Sequence, residues 1–288
     1  MTRAWLILGD ILVTLLLFLS FILFYLYPPR AEQKPQKTPS AEYNLTLPQP
    51  SLTLPEINDS MTVEDLMRMA EENEAEYTPV KKIFRDIPLN EALASSGAKM
   101  GDRVFIRIFK QEALLEVWIK PQDAYTLLKT YRICAYSGKL GPKRKEGDRQ
   151  SPEGFYAVNR HSLNPHSKFH LSFNLGYPNA YDRAHGRTGS YLMVHGNCVS
   201  IGCYAMTDAK IEEIYGLVEK ALKKGQSSVQ VHIYPFRMTE ENMAAYSHYR
   251  WYDFWVNLKE GYDYFEMEHV PPKIGVEKKR YVIEEEER

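Results

Sequence analysis

The chain is short of cysteine. Its 288 residues hold three, Cys134, Cys198 and Cys203. That is too few for a disulfide-stapled scaffold, and the odd count leaves at least one thiol unpaired if the protein is exported. Charge of one sign is lacking too. A formal net charge of -1 supplies no global basic field, so no nucleic-acid partner is expected. No internal repeat is present.

Long hydrophobic runs are also scarce, and one stands out. Ala4 to Tyr27 is apolar apart from Gly9, Asp10, Thr14 and Ser20. About 20 apolar residues in a helix cross a bilayer core. Residues 1–27 therefore read as an uncleaved transmembrane anchor. The alternative is a cleaved secretory signal, but the run is long for one and no small-x-small cleavage site precedes Pro28-Pro29. Arg3 lies on one side and Arg30, Lys34 and Lys37 on the other, so flanking charge leaves orientation open. Either reading exports the remainder, which points to a periplasmic location, tethered to the inner membrane if the helix stays.

Residues 28–60 are rich in Pro, Ser, Thr, Gln and Glu and read as a flexible linker. Residues 61–100 form a helical lead-in, with Thr62-Val63-Glu64-Asp65 resembling a capping start. From Arg103 the period shortens. Val104–Phe109 and Leu114–Ile119 read as a hairpin, Asp123–Lys129 as a short helix, and Thr130–Tyr136, Phe155–Val158, Phe169–Phe173, Tyr191–His195 and Val229–Tyr234 as strands. Tyr177–Ser190 reads as a polar loop. Thr207-Asp208 can cap a helix running to about Lys224, with Ile211, Ile214, Tyr215, Val218 and Leu222 on one face and Gly225 ending it. The expected fold over residues 101–237 is mainly β and mainly antiparallel, with flanking helices. Residues 238–288 read as an aromatic helical tail (Tyr246, Tyr249, Trp251, Tyr252, Phe254, Trp255) packed on that domain, with a disordered acidic end at Glu284–Glu287.

The chemistry concentrates between His195 and Met206, where one histidine and two cysteines sit among glycines. An imidazole can take the proton of a thiol, and glycine permits tight turns and close approach of a substrate. Cys203 reads as the nucleophile and His195 as its base. The N-terminus of the following helix would favour a thiolate, and N–H groups around Ile201, Gly202 and Cys203 would hold an oxyanion. No Asp or Asn stands nearby to orient His195, which leaves a backbone carbonyl, that of Gly196. Three other readings stay open. The cysteines and histidine can be plain core residues; His195, Cys198 and Cys203 can be metal ligands, although no second paired set completes a zinc site; and Cys198 can bridge to Cys203 and silence it. Cys134 reads as core. His161, His166, His170 and His185 read as surface or packing residues, and Lys143-Arg144-Lys145 as a solvated loop.

His195-Gly196 followed by Ser200-Ile201-Gly202-Cys203 resembles the signature of the L,D-transpeptidase catalytic (YkuD-type) family. Tyr136-Ser137-Gly138 and Ser151-Pro152-Glu153-Gly154-Phe155-Tyr156 are similar to that family's Ser-x-Gly loop and Thr-Pro-x-Gly-x-Phe segment. Phe169–Asn179 and Val199–Met206 resemble its YafK-like branch. The likeness covers about Arg103 to Pro235. Ile201 stands where the wider family commonly has histidine, and Ala205 where it commonly has Arg or Asn, so the grip near the thiol must differ.

The resemblance implies a β-sandwich-like catalytic domain that acts on peptidoglycan stem peptides and needs no cofactor or metal. Cys203 would form a thioacyl intermediate at the L-centre of diaminopimelate, with His195 protonating the leaving amine. The YafK-like branch implies hydrolysis of the link between peptidoglycan and its bound lipoprotein. The alternatives are a transpeptidase that joins diaminopimelate residues or attaches proteins, and a non-catalytic, membrane-anchored wall-binding module. Lys168, Arg183 and Arg187 are candidate contacts to substrate carboxylates.

Overall fold

A computed structural model describes residues 87–284. The expected anchor, the expected linker, residues 61–86 of the expected helical lead-in and the acidic end from residue 285 lie outside the described residues. Among the described residues no helix is long and apolar enough to cross a membrane.

The chain enters through α1 (Leu89–Ser96) and the strands β1 (Arg103–Phe109), β2 (Leu114–Lys120), β3 (Thr126–Arg132) and β4 (Ala135–Tyr136). It continues through β5 (Gly154–Val158), β6 (Leu163–Ser167), β7 (His170–Asn174), α2 (Ala180–Ala184), β8 (Met193–His195) and β9 (Tyr204–Ala205). The last elements are α3 (Asp208–Lys223), β10 (Val229–Tyr234), α4 (Glu240–Ala245), α5 (Tyr252–Glu268), β11 (Ile274–Glu277) and β12 (Arg280–Ile283). Two five-stranded sheets result, in the orders β3-β2-β1-β10-β5 and β4-β9-β8-β7-β6, with β11-β12 a separate hairpin. The fold is rich in β-sheet with a few helices. Most pairs are antiparallel, but β1 with β10 and β8 with β9 are parallel.

The first sheet is covered on both faces, which explains why β1 reads as an almost unbroken apolar run. Val104, Ile106 and Ile108 join Val117, Val231 and Ile233 in one core with Phe173, Val194 and Tyr204 of the second sheet and the apolar stripe of α3. The alternate residues of β1 point the other way, as a period of two requires. Phe109 packs with Trp255, Leu258 and Tyr262 of α5, and Phe105 with Phe265. Between them Arg107 is buried, paired with Glu116 at 2.9 Å and with Glu266. Its guanidinium lies 4.8–5.4 Å from the centroids of Phe109, Trp118, Tyr262 and Phe265. A buried cation needs both a counter-charge and desolvated partners, and α5 supplies much of each.

Several sequence expectations are corrected. Residues 126–129 are strand, because Thr126–Arg132 adds to the open edge of β2, an edge that local periodicity does not reveal. β10 is central, between β1 and β5. The Tyr177–Ser190 loop holds α2, started by a reciprocal bond set in which Asn179 and Asp182 each accept the other's backbone N–H. The aromatic run Tyr246–Trp251 lies between two helices, its rings stacked against Phe236 and Trp255. β6 and the β11-β12 hairpin were not expected. Glu284, assigned to the disordered end, is held by Lys273.

Trp255 closes the face that α5 covers. It is fully buried, and its Nε1 donates to Glu153 Oε2 at 2.9 Å. Trp255→Ala is expected to cost about 3–5 kcal/mol of stability, read as a lowered urea midpoint; a loss under about 1 kcal/mol would mean that α5 contributes little to the domain.

Candidate active site

Cys203 and His195 sit on neighbouring parallel strands of the second sheet. The register pairs Val194 with Tyr204 and His195 with Ala205. Continued by one residue it sets Cys203 beside Met193, and the Met193 N–H points at Cys203 Sγ across 3.4 Å. Side chains two residues apart on a strand share a face, so thiol and imidazole lie on one side of the sheet, one two-residue step apart.

The eight residues between β8 and β9 must reverse the chain and return it parallel. Asn197, Cys198 and Gly202 all take positive φ, with Gly202 at 144°, a region that side chains disfavour. Gly196 is required for space, since a Cβ there would meet Asp208 Oδ1 at 2.5 Å. That carboxylate accepts the Asn197 N–H at 2.8 Å and so ties the loop to the first residue of α3. The loop is also stapled covalently. Cys198 bonds Cys134, whose Cα is 5.2 Å away, just before β4. This corrects two expectations: Cys134 is not plain core, and Cys198 does not bridge to Cys203. The bond also takes Cys198 out of any metal-ligand set, and Cys203 is the free cysteine.

His195 is buried, with its ring against Phe169 at a centroid distance of 4.8 Å. Its Nδ1 lies 2.5 Å from the Gly196 carbonyl oxygen. A carbonyl only accepts, so Nδ1 carries the proton and Nε2 of the neutral ring keeps a free lone pair. Burial lowers the His195 pKa, opposed by the Gly196 bond and the charge of Asp208. Burial pushes the Cys203 thiol up, opposed by the Met193 N–H and by Lys143. Both groups are therefore neutral at rest near pH 7, and the pair is a thiol beside a base rather than a preformed ion pair. The helix expected to favour the thiolate is too far along the chain. Strand β9 (Tyr204–Ala205) intervenes and α3 begins only at Asp208, so the cysteine does not sit at the first turn, where a helix dipole acts.

The backbone of Cys203 is clamped. Its carbonyl accepts from Ser200 Oγ at 2.7 Å and from Ser151 Oγ at 3.0 Å. The Gly202 N–H donates to Ser200 Oγ at 3.1 Å, so it is already engaged and the expected oxyanion role does not fit it in this state. The Cys203 N–H has no hydrogen-bond partner among the described residues. Tyr191, at φ 54°, and Ile201 are exposed apolar side chains flanking the thiol, and Sγ lies 3.7 Å from the Tyr191 carbonyl.

The expected substrate contacts divide. Lys168 is exposed on the turn between β6 and β7. Arg183 is exposed and donates to the Pro178 carbonyl beside its own helix. Arg187 is buried and ion-paired with Asp182 at 2.7 Å, stacked over Tyr181 and Phe254, so its charge is already neutralised. The structure does not gather these three around the thiol. The residues that sequence reasoning missed are Ser151, Ser200, Phe169 and Tyr191. Ser151 and Ser200 lie within motifs, but their bonds to the Cys203 carbonyl are tertiary and carry no sequence signal. No group of His, Cys, Asp or Glu among the described residues is arranged to hold a metal ion.

A free cysteine and a buried, oriented histidine on one sheet face describe the class of cysteine-dependent acyl-transfer sites. Residues 103–233 match the family model of the L,D-transpeptidase catalytic domain. The protein named "Putative L,D-transpeptidase YafK" of Escherichia coli (strain K12) is 55% identical over 184 residues, covering 64% of this chain and 75% of that protein. Its counterpart in Escherichia coli O157:H7 matches equally. The chain belongs to the L,D-transpeptidase catalytic domain family, whose members act on peptidoglycan peptides. Among solved structures, the helical cell shape determining protein Pgp2 from Campylobacter jejuni aligns with a TM-score of 0.37 at 20% identity, over 62% of this chain and 68% of that one. A likeness at that score carries no weight for function.

Two measurements check the site. Protein denatured without reductant should titrate a single thiol per chain; three thiols would remove the staple. Alkylation of native Cys203 by iodoacetamide, followed by intact mass, should rise through a pH above the ordinary thiol value of about 8.5. An inflection near 6 would reveal a preformed thiolate–imidazolium pair instead.

Proposed function

We propose that the protein is a peptidoglycan-modifying cysteine enzyme in which Cys203 attacks the carbonyl on the L-centre of diaminopimelate in a stem peptide. The observation that carries this reading is the Nδ1 bond from His195 to the Gly196 carbonyl. It leaves Nε2 as the free base on the face that Cys203 shares.

The cycle follows from those groups. As Sγ forms a bond to the carbonyl carbon, the thiol proton passes to Nε2. The Cys203 N–H, free of other partners, is the donor best placed for the oxyanion. Nε2 then gives its proton to the leaving amine as the C–N bond breaks, and a thioester remains. Water, deprotonated by Nε2, attacks the thioester. The acid departs, and the thiolate recovers the proton from the imidazolium. A neutral thiol at rest is no obstacle, because the base acts during attack. An amine in place of water gives transpeptidation through the same intermediate.

Hydrolysis of the peptidoglycan–lipoprotein linkage is the outcome favoured, and it rests on the likeness to the YafK-like branch. The tethered periplasmic location rests on the apolar run at residues 4–27.

Cys203→Ala should abolish release of lipoprotein or peptide from purified sacculi while the fold survives. Release at the wild-type rate would reject the thiol as nucleophile, and no release by the unsubstituted protein would favour a wall-binding module. Defined muropeptides with and without an amine acceptor separate the outcomes: product that grows with the acceptor marks a transpeptidase, and product indifferent to it marks a hydrolase.

A further inference from the structure

A cavity of about 720 Å³ opens between the loop after β4 and the corner that precedes α5. Its wall carries Lys139, Arg144, Lys145 and Arg250, together with Gln150 and Trp251. The four cations are exposed, and none has a carboxylate partner among the described residues. Two further cations nearby are neutralised: Arg187 by Asp182, and Lys143 by Asp148 at 2.5 Å.

The wall is built rather than loose. Asp148 accepts the backbone N–H groups of Arg144, Lys145 and Gln150 at 2.8–3.2 Å, which folds the loop and turns the Arg144 and Lys145 side chains outward. The Gln150 amide clamps the opposite limb. It accepts from the Lys139 N–H at 3.0 Å and donates to the Gly141 carbonyl at 2.8 Å. Buried Lys110 donates to the same Gly141 carbonyl at 3.0 Å and to the Ser151 carbonyl at 2.8 Å. Trp251 seats directly on this limb. A Cβ on Gly141 would meet Trp251 Nε1 at 2.2 Å, so the close approach requires glycine there. Arg144 and Arg250 lie 5.8 and 4.9 Å from the Trp251 ring, which holds two forked cations on one platform.

One limb of the cavity wall also touches the Cys203 loop. Gln150 lines the cavity, and the Gln150 carbonyl is 3.9 Å from where a Gly202 Cβ would stand. The next residue, Ser151, holds the Cys203 carbonyl. Gly138 lines the cavity and follows Ser137, which the β4–β9 register, continued by one residue, sets opposite Cys203. Arg250 and Trp251 fall outside residues 103–233, so one corner of this wall is an addition to the family domain.

We propose that this pocket docks a peptide segment carrying two or more carboxylates, holding one flank of the scissile peptide beside Cys203. Guanidinium forks match carboxylates in a bidentate manner, the cavity has room for a few residues, and its lining carries four cations without a carboxylate partner among the described residues, while its one carboxylate, Asp148, is paired with Lys143. The proposal rests on the peptide-substrate reading above. Its test is binding, which needs no turnover.

The full chain carrying Cys203→Ala is titrated by calorimetry with a tetrapeptide stem whose carboxylates are free, and with the same peptide amidated. The double substitution Arg144→Ala/Arg250→Ala is then added; both side chains are exposed, and the Arg144 N–H that serves Asp148 is kept. Two exposed ion pairs predict that the free-carboxylate peptide binds about tenfold more weakly to the variant. The amidated peptide should change by less than about twofold, and the difference should shrink at high salt. With Cys203 intact, the same pair should raise KM and leave kcat. Unchanged affinity for the free-carboxylate peptide overturns the pocket, as does displacement by millimolar inorganic phosphate with no discrimination between the two peptides. An inactive Cys203 with arginine-dependent binding would reject the thiol reading and keep the pocket; an active Cys203 with arginine-independent binding would do the reverse.

Discussion

The parallel pairing of β8 and β9 is the constraint on which the candidate site depends. Parallel neighbours are ordinarily joined by a long crossover, whereas here eight residues make the return. Such a short link succeeds only through positive-φ residues, a glycine packed against Asp208, and a staple from Cys198 to Cys134. The same link sets the spacing of thiol and imidazole. Loop, staple and the Cys203–His195 pair are therefore one device. A change in the register of β9 by one residue would turn Cys203 to the opposite face of the sheet.

The segment after β4 serves three ends at once. Lys110, buried with Glu153, fastens its backbone to the first sheet. A buried ion pair is costly unless fully bonded, and Glu153 meets that need by also taking the Gly141 N–H at 2.6 Å and the Trp255 Nε1. Ser151, held in this way, reaches Cys203, and Gln150 shapes the basic cavity. Rigidity in the core is thus passed to the thiol and to the pocket wall through a few hydrogen bonds.

The C-terminal helices belong to the same economy of burial. The first sheet has two apolar faces, and the second sheet covers one. Without α5 the other face would leave Phe105, Phe109 and the Arg107 charge in water or unpaired. The corner before α5 then meets the segment after β4, which is how residues beyond the family domain come to line a cavity there.

Much of this was legible along the chain. Short apolar runs marked β1, β2 and β5, alternation marked β10, apolar spacing marked α3, and the cluster His195–Cys203 with its glycines marked the candidate loop, because each signal is local: a run of apolar residues, a side-chain period, a turn residue, a thiol near an imidazole. The sequence could also name a backbone carbonyl near Gly196 as the orienting group by finding no acid nearby. Tertiary structure alone decided the rest. β3 became strand because β2 offered an edge, and Cys198 met Cys134 because β4 and the loop converge. Gly202 spent its N–H on Ser200, and β9 moved Cys203 away from the helix end. The basic residues that line a cavity were not the ones nearest the motif. Each of these depends on which distant segments share space, and residue order does not encode that by itself.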